Sequence, residues 1–495
     1  MDPVQRPPVS RPLSLSFVVL FALLLAGYVW FLRSYTSPYA GGSDSSGYLN
    51  SAALLKAGLL RTPVPGLPGH GAVEFGLGAH VPLGFTIRAG TDLMAPSYPI
   101  GLPLHLVAFS WPVGLDWATV PLNICSALAG GLLLYLLARR LELPPGIALF
   151  GAGLLLLCPL YLFSALQPMS DLLALVWLQA ALYAALRVRE GRGWAVFCGL
   201  ATALAVLVRP TNVLLALPLL LALGPAWRSY LWVGLGGLPG ALLLGWYNSR
   251  VYGAPFTTGY GEVWSAFSRE YAGHNLGHFA RWIPVLLTPL VLAALAAPFQ
   301  PALRRREFLV LGSWAAVLIG FYAFYYHSGE TWWYLRFILP AFPALILIAL
   351  AALHSLTARA RRRTAIWGLL VAAGLAWETV LLGRLELVRI KPGEATYPES
   401  AAWARAHLPA DAVVFCMQVS GALHYYTDFL LVRWDQTTEM PRLLRALEAE
   451  HRPVYAVLYA FEEPQVRERL GGRWTRLGQV HQATIWRIDL ALAQP

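Results

Sequence analysis

Few carboxylates in this chain stand where they could act on a substrate, and Asp44 is the first. It lies in Gly41-Gly42-Ser43-Asp44-Ser45-Ser46-Gly47-Tyr48, a few residues beyond the first apolar run. A carboxylate at the membrane edge can serve as a general base, deprotonating a hydroxyl or amine while a lipid-borne phosphate departs from the other side. An aspartate among serines and glycine also suits a helix N-cap or an Asx-turn, so a purely local role stands beside the chemical one. A lipid phosphate needs cations as well. Arg336 and Arg209 each sit at the end of an apolar run, where a guanidinium can hold phosphate bidentately and stabilise it as it leaves. Each also has the plainer reading of an interfacial arginine reaching for water. Lys56 follows Asp44 by one short helical stretch and is a further candidate cation, though headgroup anchoring also explains it.

Other residues are less specific. Tyr98, Trp332, Trp333 and Tyr334 fit an aromatic belt, and aromatic faces also line sugar and isoprenoid sites. Asp171 reads as a helix cap, Glu330 as a partner for Arg336 in the substrate site. His70, Glu74 and His80 share no ligand spacing in a Gly/Pro-rich loop, so no metal is expected; a divalent ion holding phosphate would call for an acidic pair. No other cofactor is implied. Glu378 sits in an apolar run and would be costly there unless paired.

The elements that must position these groups are membrane helices. Of 495 residues, 57% are hydrophobic and only 13% charged, which excludes an ordinary soluble domain. The net charge of +11 does not point to nucleic acid, because much of the arginine lies in short loops between apolar runs. Three of the four cysteines lie in apolar runs and Cys416 stands alone, so no disulfide framework is expected. Arg6 and Arg11 precede the first run, which reads as an uncleaved span.

Expected spans are Ser14–Ser34, Trp117–Ala138, Gly146–Leu166, Leu172–Leu186, Trp194–Val208, Val213–Leu223, Leu231–Tyr247, Ile283–Ala297, Phe308–Tyr326, Phe337–Leu356 and Ala365–Leu382. That is roughly eleven, in a polytopic α-helical membrane protein. Arg139-Arg140, Arg187 to Arg192, Arg228, Arg304-Arg305-Arg306 and Arg359 to Arg363 then all fall on one side. This places the amino terminus in the cytoplasm of a bacterial-type plasma (inner) membrane. The first loop (35–115), the loop Asn248–Trp282 and the carboxyl-terminal region lie outside.

Within the first loop, Tyr48, Ala52, Leu55 and Leu59 form a stripe with Asn50, Ser51 and Lys56 off it, as in a helix lying along the bilayer surface. The apolar piece ending at Trp111 is too short to span and reads as interfacial or re-entrant. Two domains result, a membrane module (1–388) and an extracytoplasmic α/β domain (389–495). In the latter, helices are expected over Pro398–Leu408 and Met440–Glu450. Strands are expected over Ala412–Phe415, Val454–Leu458 and Thr484–Leu490. No internal repeat relates the halves of the membrane part.

The order of these motifs resembles the GT-C glycosyltransferases. The first-loop carboxylate is followed by Tyr98-Pro99-Ile100-Gly101-Leu102-Pro103, then Leu204-Ala205-Val206-Leu207-Val208-Arg209-Pro210-Thr211-Asn212, then Tyr334-Leu335-Arg336-Phe337-Ile338-Leu339-Pro340-Ala341-Phe342-Pro343. The pattern is similar to that of protein O-mannosyltransferases and of the aminoarabinose transferases that modify lipid A, over roughly Ser14 to Leu356. The resemblance implies inverting transfer of a sugar from a polyprenyl-phosphate donor at the outer face. Asp44 matches the family's base and Arg336 its phosphate-holding arginine. Ser45 departs from the mannosyltransferase pattern, which has a second acidic residue there, so the acceptor stays open among protein, lipid and glycan. Membrane lipids are expected partners and nucleic acid is not. Two rivals remain. A lipid or oligosaccharide transporter or flippase would show repeated halves and polar groups near the midplane. A polymerase or ligase of lipid-linked glycans would take a longer donor.

Overall fold

The computed structural model describes residues 15–490 apart from Ala89 and Ala226. Arg6, Arg11 and the expected start of the first span at Ser14 lie outside the described residues. Where apolar residues run unbroken the chain coils into long helices, the form that satisfies its own backbone polar groups in hydrocarbon. α1 (Leu15–Tyr35) is such a helix, with apolar side chains exposed along most of its length. The first loop holds α2 (Asp44–Lys56) and a small antiparallel sheet of β1 (Thr62–Pro63), β2 (Phe85–Ile87) and β3 (Leu93–Pro96), ordered β1-β3-β2. It closes with α3 (Gly101–Val113). The sheet was not legible in the sequence, because strands this short carry no periodicity.

α2 departs from the surface helix expected of it. It ends before Leu59, and Ser45 through Ala52 are all buried, Asn50 and Ser51 included. Protein covers it on both flanks, so Asn50 and Ser51 face neighbours instead of headgroups.

α4 (Thr119–Arg140) is followed by α5 (Pro145–Leu157) and α6 (Pro159–Ala165), one apolar stretch bent by 59°. Pro159 cannot continue the ladder, and it holds Cys158 extended, with ψ 124°. α7 (Ser170–Ala185), α8 (Arg192–Val208), α9 (Ala216–Leu223) and α10 (Trp227–Tyr252) come next. α11 (Tyr271–Leu286) starts well inside the expected second loop. It then bends by 110° into a 3₁₀ segment, Pro289–Phe299, through Thr288 at φ 62°. α12 (Arg306–Tyr322), α13 (Phe342–Leu356) and α14 (Arg363–Arg384) complete the apolar part.

By length and composition, four helices among the described residues can cross a membrane, or up to six if each bent pair is one span. The sequence reading of roughly eleven differs because several of the apolar runs counted there form short helices, among them α7, α8 and Pro210–Leu223, while α3 is short as expected of a piece that does not span.

Beyond α15 (Ile390–Glu394) and α16 (Thr396–His407) the chain forms a five-stranded mixed sheet. β4 (Val413–Cys416), β5 (Leu430–Arg433) and β6 (Val454–Tyr459) are parallel, and β7 (Arg473–Val480) and β8 (Ala483–Asp489) add antiparallel strands in the order β5-β4-β6-β8-β7. Every residue of β4 is buried, as a central strand covered on both faces must be. α16 and α17 (Ser420–Tyr426) pack on one face; α18 (Met440–Ala449) and α19 (Glu463–Leu470) pack on the other. The second core does not close within residues 389–495. Leu67, Phe75 and Ala79 of the first loop are part of it, packed with Phe415, Val432 and Trp434.

Candidate functional site

α2 opens on Asp44, and no side-chain hydrogen bond caps the helix. The carboxylate is engaged elsewhere. Asp44 Oδ1 accepts from the Tyr98 hydroxyl at 2.5 Å, and Oδ2 accepts from Arg336 Nη1 at 2.6 Å. Ser43 Oγ lies 2.8 Å from the same tyrosine hydroxyl. Arg336 stands in a 3₁₀ turn, Trp332–Phe337, that Pro340 and the start of α13 follow. The acid early in the chain and the guanidinium far along it therefore meet directly. The Arg336 side chain is 15% exposed, and its Nε–H is buried with no hydrogen-bond acceptor among the described residues.

Burial works to raise the Asp44 carboxyl. The Arg336 charge, the Tyr98 and Arg336 hydrogen bonds and the charge on Arg209 outweigh it, leaving the group below the usual carboxylate range. Tyr98 is held well above the ordinary phenol by burial and then by the Asp44 charge. In this arrangement Asp44 is anionic and Tyr98 is a proton donor to it.

A second ion pair lies close by. Arg209, just past α8, pairs with Asp171 in the first turn of α7. Phe337 sits between the two cations, its ring centre 5.4 Å from the Arg209 guanidinium carbon and 5.3 Å from that of Arg336. Tyr48 on α2 donates to Ser170 Oγ at 2.9 Å, which ties the Asp44 helix to the start of α7. Beside them is a cavity of about 160 Å³, lined by Ser97, Pro99, Pro210, Asn248, Tyr252 and Tyr260 among others. The Tyr260 ring meets the Tyr98 ring edge-on at 5.9 Å.

Of the residues singled out from sequence, Asp44, Arg336, Arg209 and Tyr98 thus come together, and Lys56 and Glu330 do not. Lys56 is exposed at the far end of α2, about 18 Å along the helix axis from Asp44. Glu330 pairs with His327, not with Arg336, whose carboxylate partner is Asp44. In the sequence Asp171 reads as a helix cap. Its partnership with Arg209 joins two different helices, and nothing local in either stretch signals it. His70 lies 3.2 Å from Glu74, which also pairs with Arg442, while His80 turns away to the Leu431 carbonyl. Among the described residues no group of three or more His, Cys, Asp or Glu side chains could hold a metal ion. Glu378 is buried in α14 with neither oxygen partnered among the described residues.

The sequence profile of the dolichyl-phosphate-mannose-protein mannosyltransferase family matches residues 113–236, the stretch that carries Asp171 and Arg209. No curated protein matches the chain. Among solved structures, the chain is similar to ArnT from Cupriavidus metallidurans bound to undecaprenyl phosphate. The TM-score is 0.60 and the identity 14%, covering 98% of this chain and 100% of that one. The apo form of the same ArnT gives a TM-score of 0.60 at 16% identity, covering 97% and 99%. The arabinofuranosyltransferase AftD from Mycobacteria gives 0.54 at 15% identity, over 97% of this chain but 40% of that one. The chain thus has the fold of ArnT and of part of AftD, and with the mannosyltransferase match this makes it similar to the GT-C membrane glycosyltransferases.

Proposed function

We propose that the protein is an inverting glycosyltransferase that takes its sugar from a polyprenyl-phosphate donor at the outer face of the membrane, with Asp44 as general base. The observation that carries the reading is the contact between Asp44 and Arg336, flanked by Tyr98 and by the Arg209–Asp171 pair. The fold shared with ArnT, and the mannosyltransferase match, support it.

In this scheme the donor phosphate binds at Arg336, whose unpartnered Nε–H supplies a donor beyond the one given to Asp44. A phosphate there competes with Asp44 for the guanidinium. As Arg336 turns to the phosphate, the influence that most lowers the Asp44 pKa weakens, and the carboxylate becomes a better base on donor binding. The acceptor oxygen or nitrogen then attacks the anomeric carbon, and its proton passes to Asp44. The bond from carbon to phosphate oxygen breaks, the electron pair leaves on the phosphate, and Arg336 stabilises that charge with help from Arg209. Attack opposite the leaving phosphate inverts the configuration. The scheme invokes no metal. The acceptor is a protein, lipid or glycan.

The test is a donor assay with the purified chain in nanodiscs. Release of polyprenyl phosphate, lost in Asp44→Asn while the amount of folded protein is unchanged, is the expected result. Release of polyprenyl pyrophosphate would favour a glycan ligase or polymerase, and movement of lipid without bond cleavage would favour a flippase. Either would overturn the proposal.

A further inference from the structure

The helix that carries Asp44 is gripped by the carboxyl-terminal unit. α17 lies against α2, and the contact is made by backbone and small side chains rather than by long flexible ones. Asn50 Nδ2 donates to the Gly421 carbonyl at 2.9 Å. A methyl group placed on Gly421 would stand 2.1 Å from Ser46 Oγ and 2.8 Å from the Leu83 carbonyl oxygen. On its other flank the same turn of α2 is equally tight. A methyl group on Gly47 would stand 2.5 Å from the Tyr98 ring, and one on Gly84 would stand 2.4 Å from the Gly47 Cα. The turn bearing Asp44, Ser46 and Gly47 is therefore held between α17 and the segment of Gly84 and Tyr98, with no slack on either flank.

The grip is continued by bonds that cross between the first loop and the carboxyl-terminal unit. Leu83 N–H donates to Ser420 Oγ at 3.0 Å, Ala40 N–H to the Tyr426 hydroxyl at 3.2 Å, and Arg433 N–H to the Ala79 carbonyl at 2.7 Å. Tyr425 donates to Asp116 Oδ1 at 2.8 Å. The carboxyl ends of β4 and β5, where an open α/β sheet commonly binds ligand, are here occupied in part by the protein's own first loop.

We infer that Gly421 and Asn50 are positioning residues: through their contact with Ser46 and α2, the carboxyl-terminal unit sets where the Asp44 carboxylate stands relative to Arg336 and Tyr98. The inference rests on the function proposed above only for its consequence on transfer; the mechanical link stands on geometry. A catalytic carboxylate misplaced by an ångström loses much of its effect. An added methyl group at Gly421 must displace Ser46, and with it the first turn of α2.

The test uses the full chain in nanodiscs, with hydrogen exchange at residues 44–52. Transfer is read from surface glycans in a deletion strain complemented with each variant. Gly421→Ala is expected to raise exchange in the first turn of α2 and to lower transfer at least about tenfold, with exchange in β4 and β6 unchanged. Adding Ser46→Gly, which removes the Ser46 atoms in the way and leaves only the Leu83 carbonyl oxygen against the methyl group, restores both in part. Should Gly421→Ala disturb the sheet, Asn50→Ala, which adds no atom, carries the same test with the same readouts. The inference is overturned if exchange in α2 stays as in the parent chain, or if it rises while transfer holds. It is also overturned if the double variant is no better than Gly421→Ala. Normal transfer by Asp44→Asn would sink the proposed reaction instead, and the exchange data would still decide whether the carboxyl-terminal unit holds α2.

Discussion

Two acid–guanidinium pairs lie side by side in this protein, and they differ in how closed they are. In the Asp171–Arg209 pair the side chains are 4% and 14% exposed, and each charge serves the other. In the Asp44–Arg336 pair the acid is 28% exposed, a tyrosine hydroxyl shares it, and the guanidinium keeps an N–H without an acceptor among the described residues. A closed pair holds two helices in register and adds to the local field. An open pair with a free donor can exchange one partner for a ligand. The proposed chemistry accordingly rests on Asp44 and Arg336, with Asp171 and Arg209 in support.

Four experiments sharpen or break that distinction, beginning with the largest expected effect. Asp44→Asn keeps the shape but removes the proposed base, and transfer should fall by about 10³-fold with the protein still folded. Arg336→Ala should cost roughly 10²- to 10³-fold in turnover, as the loss of a donor aimed at a leaving oxyanion does. Arg336→Lys should recover only part of this, since an ammonium lacks the planar fork. Asp171→Asn should act on stability first. It strands a buried guanidinium, which costs about 3–5 kcal/mol, so a drop in melting temperature should accompany any loss of transfer. If Asp171→Asn instead left stability intact and abolished turnover, the two pairs would have to exchange roles.

The smallest effects concern protons. The Asp44 pKa is depressed in the fold, so the stability its contacts supply is present above the unfolded value of 3.8 and is lost as pH falls through the lower folded value. Tyr98→Phe removes one of the depressing hydrogen bonds. The acidic limb of kcat/KM should therefore move upward, with the turnover at its plateau reduced by about tenfold or less. An unmoved limb would separate Tyr98 from the base. His80, buried against the Leu431 carbonyl where the first loop meets β5, is depressed by desolvation. It is neutral in the fold, so the seating of the loop is at full strength above pH 6.5 and weakens as pH falls below it. Hydrogen exchange of residues 75–83 should rise between neutral pH and about pH 5 after correction for the intrinsic rate. His80→Asn should abolish that dependence.

Much of the membrane part is legible in the chain because its signals are local. Apolar runs demand internally bonded helices, and prolines such as Pro159 and Pro289 break them where they stand. The observed strands near Ala412, Val454 and Thr484 and the helices near Pro398 and Met440 follow from periodicity in the same way. Asp44 and Arg336 stand out by residue type, by their places near the ends of apolar runs and by the motifs that resemble the GT-C glycosyltransferases. That reading went wrong where a neighbour far along the chain decides the environment. α2 has the stripe of a surface helix and is buried instead, because α3 and α17 cover it. Glu330 stands near Arg336 in sequence, yet it pairs with His327.

What the sequence determined by itself is the kind of protein this is and the inventory of groups it can use. Both follow from solvation and hydrogen bonding within a few turns of chain. Only the tertiary structure decided which charges meet and how openly, because the contact of Asp44 with Arg336, the pairing of Asp171 with Arg209 and the hold of α17 on α2 each join segments remote in the chain. Such contacts depend on the packing of whole helices, and no short stretch of residues carries that information.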